Sequence, residues 1–144
     1  MITFDINQLN TAVFNRLRSD SAGSAIRALL ADGASGVIHF KDLNAESLPD
    51  RRFIAIKPLA IPTSDRIVQR PTYQFWIYDD PNQGFHRINA VLPLLYIAYD
   101  YLTNPLTLAS GAIGFVDTDN PSQELVDSVL SLHVRFVTVQ LSIV

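Results

Sequence analysis

SVLSLHVRFVTVQLSIV, residues 128–144, is built almost wholly of β-forming residues. Taken as one strand over residues 130–143 it would extend about 46 Å at roughly 3.3 Å per residue, beyond the usual length of about 3 to 10 residues. Its alternation changes phase partway. Leu130, Leu132, Val134 and Phe136 share one face, and Val137, Val139, Leu141 and Ile143 then occupy the opposite one. A bulge near Phe136 and Val137, or two halves buried against different neighbours, would produce that change. Residues 136–144 carry no charge and no proline, and an open edge of that kind invites edge-to-edge aggregation. The strand therefore needs cover. Either it is central in its own sheet or part of it pairs with a neighbouring subunit, and its length and phase change favour some intersubunit cover.

Earlier in the chain, residues 72–78 form a run rich in aromatics, opened by Pro71, and residues 52–59 and 37–40 read as two further strands. In residues 52–59, Ile54 and Ile56 face one side, and Pro58 limits pairing at the end. Short apolar pieces at residues 106–108 and 112–116 suggest strand fragments, and residues 117–124 an acidic turn. Two helical patterns lie among these runs. Leu9, Val13 and Leu17 recur every four residues behind Asn7 as a cap, and a shorter turn restarts at Ser24, carrying Ile26, Leu29 and Leu30, with Gly33 as its C-cap. The better-defined helix is expected to start at Asp80-Pro81. Phe85, Ile88, Leu92, Leu95, Tyr99 and Leu102 then lie on one stripe, and Pro93 is expected to kink it. The fold class is α+β: a mixed, largely antiparallel sheet of about four or five strands with two or three helices packed on it.

The whole of residues 1–144 fits one domain, without repeat, linker or low-complexity tract. Apolar residues make up 48% and charged residues 17%, so the chain can fill a core. A net charge of -3 argues against a chain that grips nucleic acid through its phosphates, and no sequence-specific nucleic acid binding is expected. With no cysteine, thiolate zinc and a cysteine nucleophile are excluded and the compartment is left open. The start of the chain lacks the basic head and apolar run of a signal peptide. The charge-free apolar segment 88–99 is short of the roughly 20 residues that a membrane span needs, so no membrane partner is expected.

Sites of chemistry are hard to assemble. His39, His86 and His133 are far apart, without metal-ligand spacing. No GxSxG elbow is present, and the glycines form neither GxGxxG nor a P-loop. DTDNPSQE, residues 117–124, departs from a calcium loop because Pro121 and Ser122 stand at its fifth and sixth positions. No catalytic residue, metal or cofactor is therefore assigned, and an enzyme is not expected. Arg51-Arg52 and Arg66 with Arg70 suit rim charges on a subunit interface better than a nucleic-acid platform.

The order of parts resembles the small tail terminator, or tail completion, proteins of long-tailed bacteriophages. Almost the whole chain carries the resemblance: LNTAVFNRL (9–17), GVIHF (36–40), RRFIAIKPLA (51–60), PTYQFWIYDD (71–80), FHRINAVLPLLYIAYDYL (85–102) and LHVRFVTVQL (132–141). In that family the closing strand commonly carries a similar arginine or aromatic followed by alternating apolar residues. The resemblance implies a structural virion protein at the head–tail junction, made in the host cytoplasm. Copies would form a homo-oligomeric ring, usually a hexamer, that caps the tail tube, stops its polymerisation and meets a neck or head-completion protein. Ring closure needs two different patches that meet head to tail. Arg66, Ile67, Val68 and Gln69 on a projecting arm, and Val137, Val139, Leu141 and Ile143 on the outer half of the last strand, are the expected subunit contacts. Two alternatives stand beside this one. A head-completion or connector ring would more often be helix-dominated, and a non-viral small-ligand-binding domain would wall a pocket with residues 73–78 and 96–101.

Overall fold

The computed structural model describes residues 6–59, 72–100, 102–108, 111–118 and 121–143, with the backbone alone for residues 6, 111–118 and 141–143. Its helices are α1 (Ile6–Arg18), α2 (Ser24–Leu29) and α3 (His86–Ala98). The strands are β1 (Val37–His39), β2 (Phe53–Pro58), β3 (Thr72–Asp79), β4 (Leu106–Leu108), β5 (Gly111–Thr118), β6 (Leu125–Asp127) and β7 (Leu132–Ile143). They form one sheet in the order β1-β2-β3-β7-β5-β4, with β6 paired to β7 beside that path. β1 runs parallel to β2, and the other pairs are antiparallel. The architecture is the expected α+β one. Four strands are long, and three-residue pieces extend them at the margins.

β7 is central in this sheet. Along one edge it pairs with β3 in an unbroken register, from Asp79 opposite His133 to Thr72 opposite Gln140. Its other edge is shared: β6 pairs with Leu132, His133 and Val134, and β5 with residues 139–143. Ser122 fills the gap between them. Its N–H donates to the Phe136 carbonyl at 2.7 Å, and its Oγ accepts from the Phe136 N–H at 2.9 Å. No bulge interrupts β7 against β3 near Phe136; the register shift lies in β5, between Phe115 and Asp117. The change of phase comes instead from two different covers. Leu132 and Val134 are buried on one face of the sheet, and Val137 and Val139 on the other.

The second of these faces carries the helices. Leu9, Val13 and Leu17 of α1 and Ile88, Leu92 and Leu95 of α3 pack with Ile54, Ile56, Tyr73, Phe75 and Ile77 in one buried cluster. α3 starts later than expected. Asp80 and Pro81 open a single 3-10 turn, Pro81–Gln83, in which the Asp80 carboxylate accepts from the Asn82 N–H at 3.0 Å. The helix passes through Pro93, which lies on its exposed side, and ends at Ala98. Leu102, beyond that end, is 85% exposed and drops off the expected stripe. Nor does Gly33 cap α2: the helix closes at Leu30, and Gly33, at φ 56°, opens a separate 3-10 turn. Gly23 is a steric requirement, because a Cβ there would lie 2.1 Å from the Arg16 carbonyl oxygen.

Arg16 joins the helical layer together. The periodicity places it at the C-terminal end of α1, yet it is turned inward and buried. Its guanidinium donates to the carbonyls of Ala98 at 2.5 Å, Asn104 at 2.6 Å and Pro105 at 3.1 Å, and to the Asp20 carboxylate at 3.1 Å. It thus satisfies acceptors at the end of α3 and the entry to β4 that burial would otherwise leave unmet. Asp79, also buried, is held by a bidentate pair to Arg87 at 2.8 and 2.9 Å, tying β3 to α3.

Candidate functional site

The residues singled out for subunit contact fall in three places. Arg66, Ile67, Val68 and Gln69 lie outside the described residues. Val137 and Val139 are buried under the chain's own helices, so the cover expected from a neighbouring subunit is supplied from within, because β7 is flanked on both edges. Leu141 and Ile143 are paired through their backbones with Phe115 and Ile113 of β5. The two aromatic runs proposed as pocket walls meet in the buried core. Phe75 and Tyr99 pack ring to ring at 5.3 Å, and the hydroxyls of Tyr73 and Tyr99 donate at 2.5 Å to Asn10 Oδ1 and to the Val13 carbonyl. Burial pushes both phenols above their ordinary ionisation range.

The opposite face of the sheet has a lighter cover. Phe53 stacks on Tyr78 at 4.7 Å, and Leu43, Leu48 and Leu130 pack over this cluster. Beyond that cover an aromatic row crosses the strands. Phe40 meets Trp76 at 5.0 Å and Trp76 stacks on Phe136 at 4.4 Å, with all three half-buried. The Trp76 indole donates to Gln74 Oε1, and Gln74 Nε2 donates to Thr138 Oγ1, each at 3.2 Å.

The sheet margin at β1 carries two clefts. The larger, about 440 Å³, includes Arg18, Asp32, His39, Asp42 and Ser47 in its lining and is of mixed charge. The other, about 390 Å³, is lined by Asn10, His39, Phe40, Lys41, Ile56, Lys57 and Pro58 and contains no carboxylate. Lys41 and Lys57 are the only lysines in the chain. The parallel register that sets His39 opposite Ile56 brings the following pair together, and the Lys57 ammonium lies 5.0 Å from the Phe40 ring. The sequence signal for this cleft is the lysine at the end of each of two adjacent strand runs. His39 packs against Phe14 in a tilted arrangement, with ring centroids 3.8 Å apart, and its pKa is lowered, first by burial and then by the Arg18 charge.

A second exposed region lies across the sheet, on β6 and the turn after it. Leu125 is 37%, Val126 66% and Val129 81% exposed, beside the carboxylates of Glu124 and Asp127. Among the described residues β6 pairs with β7 alone. The turn is locally braced: Asp127 Oδ1 accepts from the Val129 and Leu130 N–H groups, each at 3.0 Å, and Ser131 adopts a left-handed φ of 56°.

His133 stacks on Phe85 at 4.2 Å and His86 is exposed at the start of α3, so the histidines do not converge. Among the described residues no group of three or more His, Cys, Asp or Glu side chains could hold a metal ion, and no helix is long and apolar enough to cross a membrane. Arg51 pairs with Asp80 at 2.9 Å and donates to the Ser131 carbonyl at 2.7 Å, clipping the β6–β7 turn to the start of β2.

No known protein family matches the sequence, and no curated protein matches it as a relative. Two solved structures share its fold from end to end. One, whose name carries no function, superposes with a TM-score of 0.65 at 12% identity, over 99% of this chain and 97% of that one. The other is a chain from the virion of a native gene transfer agent particle, with a TM-score of 0.62 at 14% identity over 98% of each chain. This chain therefore has the fold of both.

Proposed function

We propose that the chain is a structural protein of a phage-like virion and acts there as a tail terminator. Copies close into a ring, a hexamer by the family resemblance, on the end of the tail tube. The ring blocks the next tube subunit and offers its far side to a neck or head-completion protein. Its work is assembly rather than catalysis, and its place is the head–tail junction. The observation that carries this reading is the end-to-end fold likeness to a chain of the gene transfer agent virion, covering 98% of both chains. The order of parts along the sequence supports the finer role. The seven strands under three helices among the described residues also favour a terminator over a head-completion ring, for which a helix-dominated subunit is expected.

A ring works as a stop because its subunit contact is heterologous and closes, so that every patch is used within it and none is left to continue growth. Negative-stain imaging and light scattering over a range of concentrations test the reading. Closed rings, and capped tubes of limited length when tail tube protein polymerises in their presence, are expected. A protein that stays monomeric at all concentrations, with or without tubes, overturns it.

A further inference from the structure

We propose that the ring contact is made by seating the exposed β6 corner of one copy, residues 124–129, on the lysine cleft at the β1–β2 margin of the next. The inference rests on the ring reading above and names the surfaces that carry it. Three observations point to this pairing. The first is charge. Both lysines of the chain line the cleft, with Asn10 and His39 and without a carboxylate, while residues 124–129 bear Glu124 and Asp127 and no base.

The second is apolar content. Val126 and Val129 are among the most exposed large apolar side chains described, and the cleft offers the Phe40 ring and Pro58 as apolar wall beside its ammonium groups. A contact that joins an apolar centre to complementary charges gains area and orientation at once. The third is position. β1 is one margin of the sheet, and β6 lies on the far side of β7, beyond β2 and β3. Surfaces on opposite sides of a subunit cannot pair with themselves in a two-fold dimer. They join head to tail, as a closing ring requires. Asp42, next to Lys41, lines the neighbouring cleft and not this one, and its charge reaches His39, which lines both.

Charge reversal on each side provides the test. One variant carries Lys41→Glu and Lys57→Glu, making cleft and corner both acidic; the other carries Glu124→Lys and Val126→Lys, making both basic. Each should keep the wild-type circular dichroism spectrum, since Lys41, Glu124 and Val126 are exposed and Lys57 is half-exposed. Alone, each should need at least about a hundredfold higher concentration to assemble than wild type, because like charges then meet across the contact. Mixed in equal amounts they should co-assemble into alternating rings, as acidic cleft meets basic corner and acidic corner meets basic cleft. Normal rings from either variant alone, or folded variants that stay monomeric when mixed, overturn the pairing while the ring reading stands. Wild-type protein that never forms rings removes both.

Discussion

On the helical face of the sheet, Ile54, Ile56, Tyr73, Phe75, Val137 and Val139 are all buried against helices. On the opposite face the same strands present Phe53, Tyr78, Leu132 and Val134, buried beneath a loop, and then Trp76 and Phe136, half-buried at the limit of that cover. Neither face is poor in apolar residues; what differs is what comes to meet them. A helix brings a stripe repeated every turn, whereas the segment after β1 brings Leu43 and Leu48 among polar neighbours. One face is therefore sealed by regular structure, and the other is sealed only as far as Leu43, Leu48 and Leu130 reach. Stability should concentrate on the first face and association on the second and at the margins.

The two faces should respond unequally to truncation. Phe75→Ala should cost about 3 to 5 kcal/mol, as for a fully buried aromatic, and Phe136→Ala only about 1 to 2 kcal/mol. Urea unfolding midpoints measure both, and equal losses would mean that the second face is packed as a true core. Next in size is Arg16→Met, which leaves three carbonyls at the end of α3 and the entry to β4 without their donor. A loss of about 2 to 3 kcal/mol is expected in the same assay.

Alkaline titration reads burial on both faces. Tyr73, Tyr78 and Tyr99 all have raised pKa values, with burial the first cause of each. Unfolded tyrosine ionises near about pH 10, so above that pH the unfolded chain holds fewer protons than the folded one, and stability falls as pH rises. Each tyrosine contributes up to roughly 1.4 kcal/mol per pH unit. Tyr73→Phe should flatten the alkaline limb of a stability profile, and an unchanged slope would show that its phenol is not sealed. The smallest effect belongs to His39. Its lowered pKa means that below about pH 6.5 the unfolded chain takes up more protons than the fold, so stability falls as pH falls through that region. His39→Gln should remove this shallow acid dependence from urea midpoints measured between about pH 5 and 7.

Much of the helical face can be read from sequence. The four-residue repeat of Leu9, Val13 and Leu17 and the stripe of Ile88, Leu92 and Leu95 identify the buried sides of α1 and α3 by spacing alone. The opposite face is harder to read, because its cover is a polar segment in which Leu43 and Leu48 follow no period. The change of phase in β7 is visible in the letters, but its cause lies in tertiary structure: which neighbour covers which half depends on pairings that join residues far apart in the chain. Arg16 is hidden for a similar reason. Its place in the repeat suggests a surface charge near a helix end, and only the arrival of the α3 terminus and Pro105 gives the guanidinium acceptors that make burial tolerable. Lys41 and Lys57 are conspicuous as the only lysines, yet their meeting depends on β1 and β2 lying parallel, which no local pattern specifies.

Arg18 guards the β1 border of the sheet. Its guanidinium donates twice to the Val37 carbonyl, at 2.9 and 2.7 Å, so the acceptor on the first residue of β1 is already occupied. An incoming strand would find a three-residue border with its leading acceptor taken, and sheet could not be added to sheet there without first displacing a cation. A subunit that closes into a ring, as proposed above, must not go on joining without end. This arginine would turn neighbours away from fibre-like addition at that border and leave them the side-chain surfaces, where a count of copies can be finite.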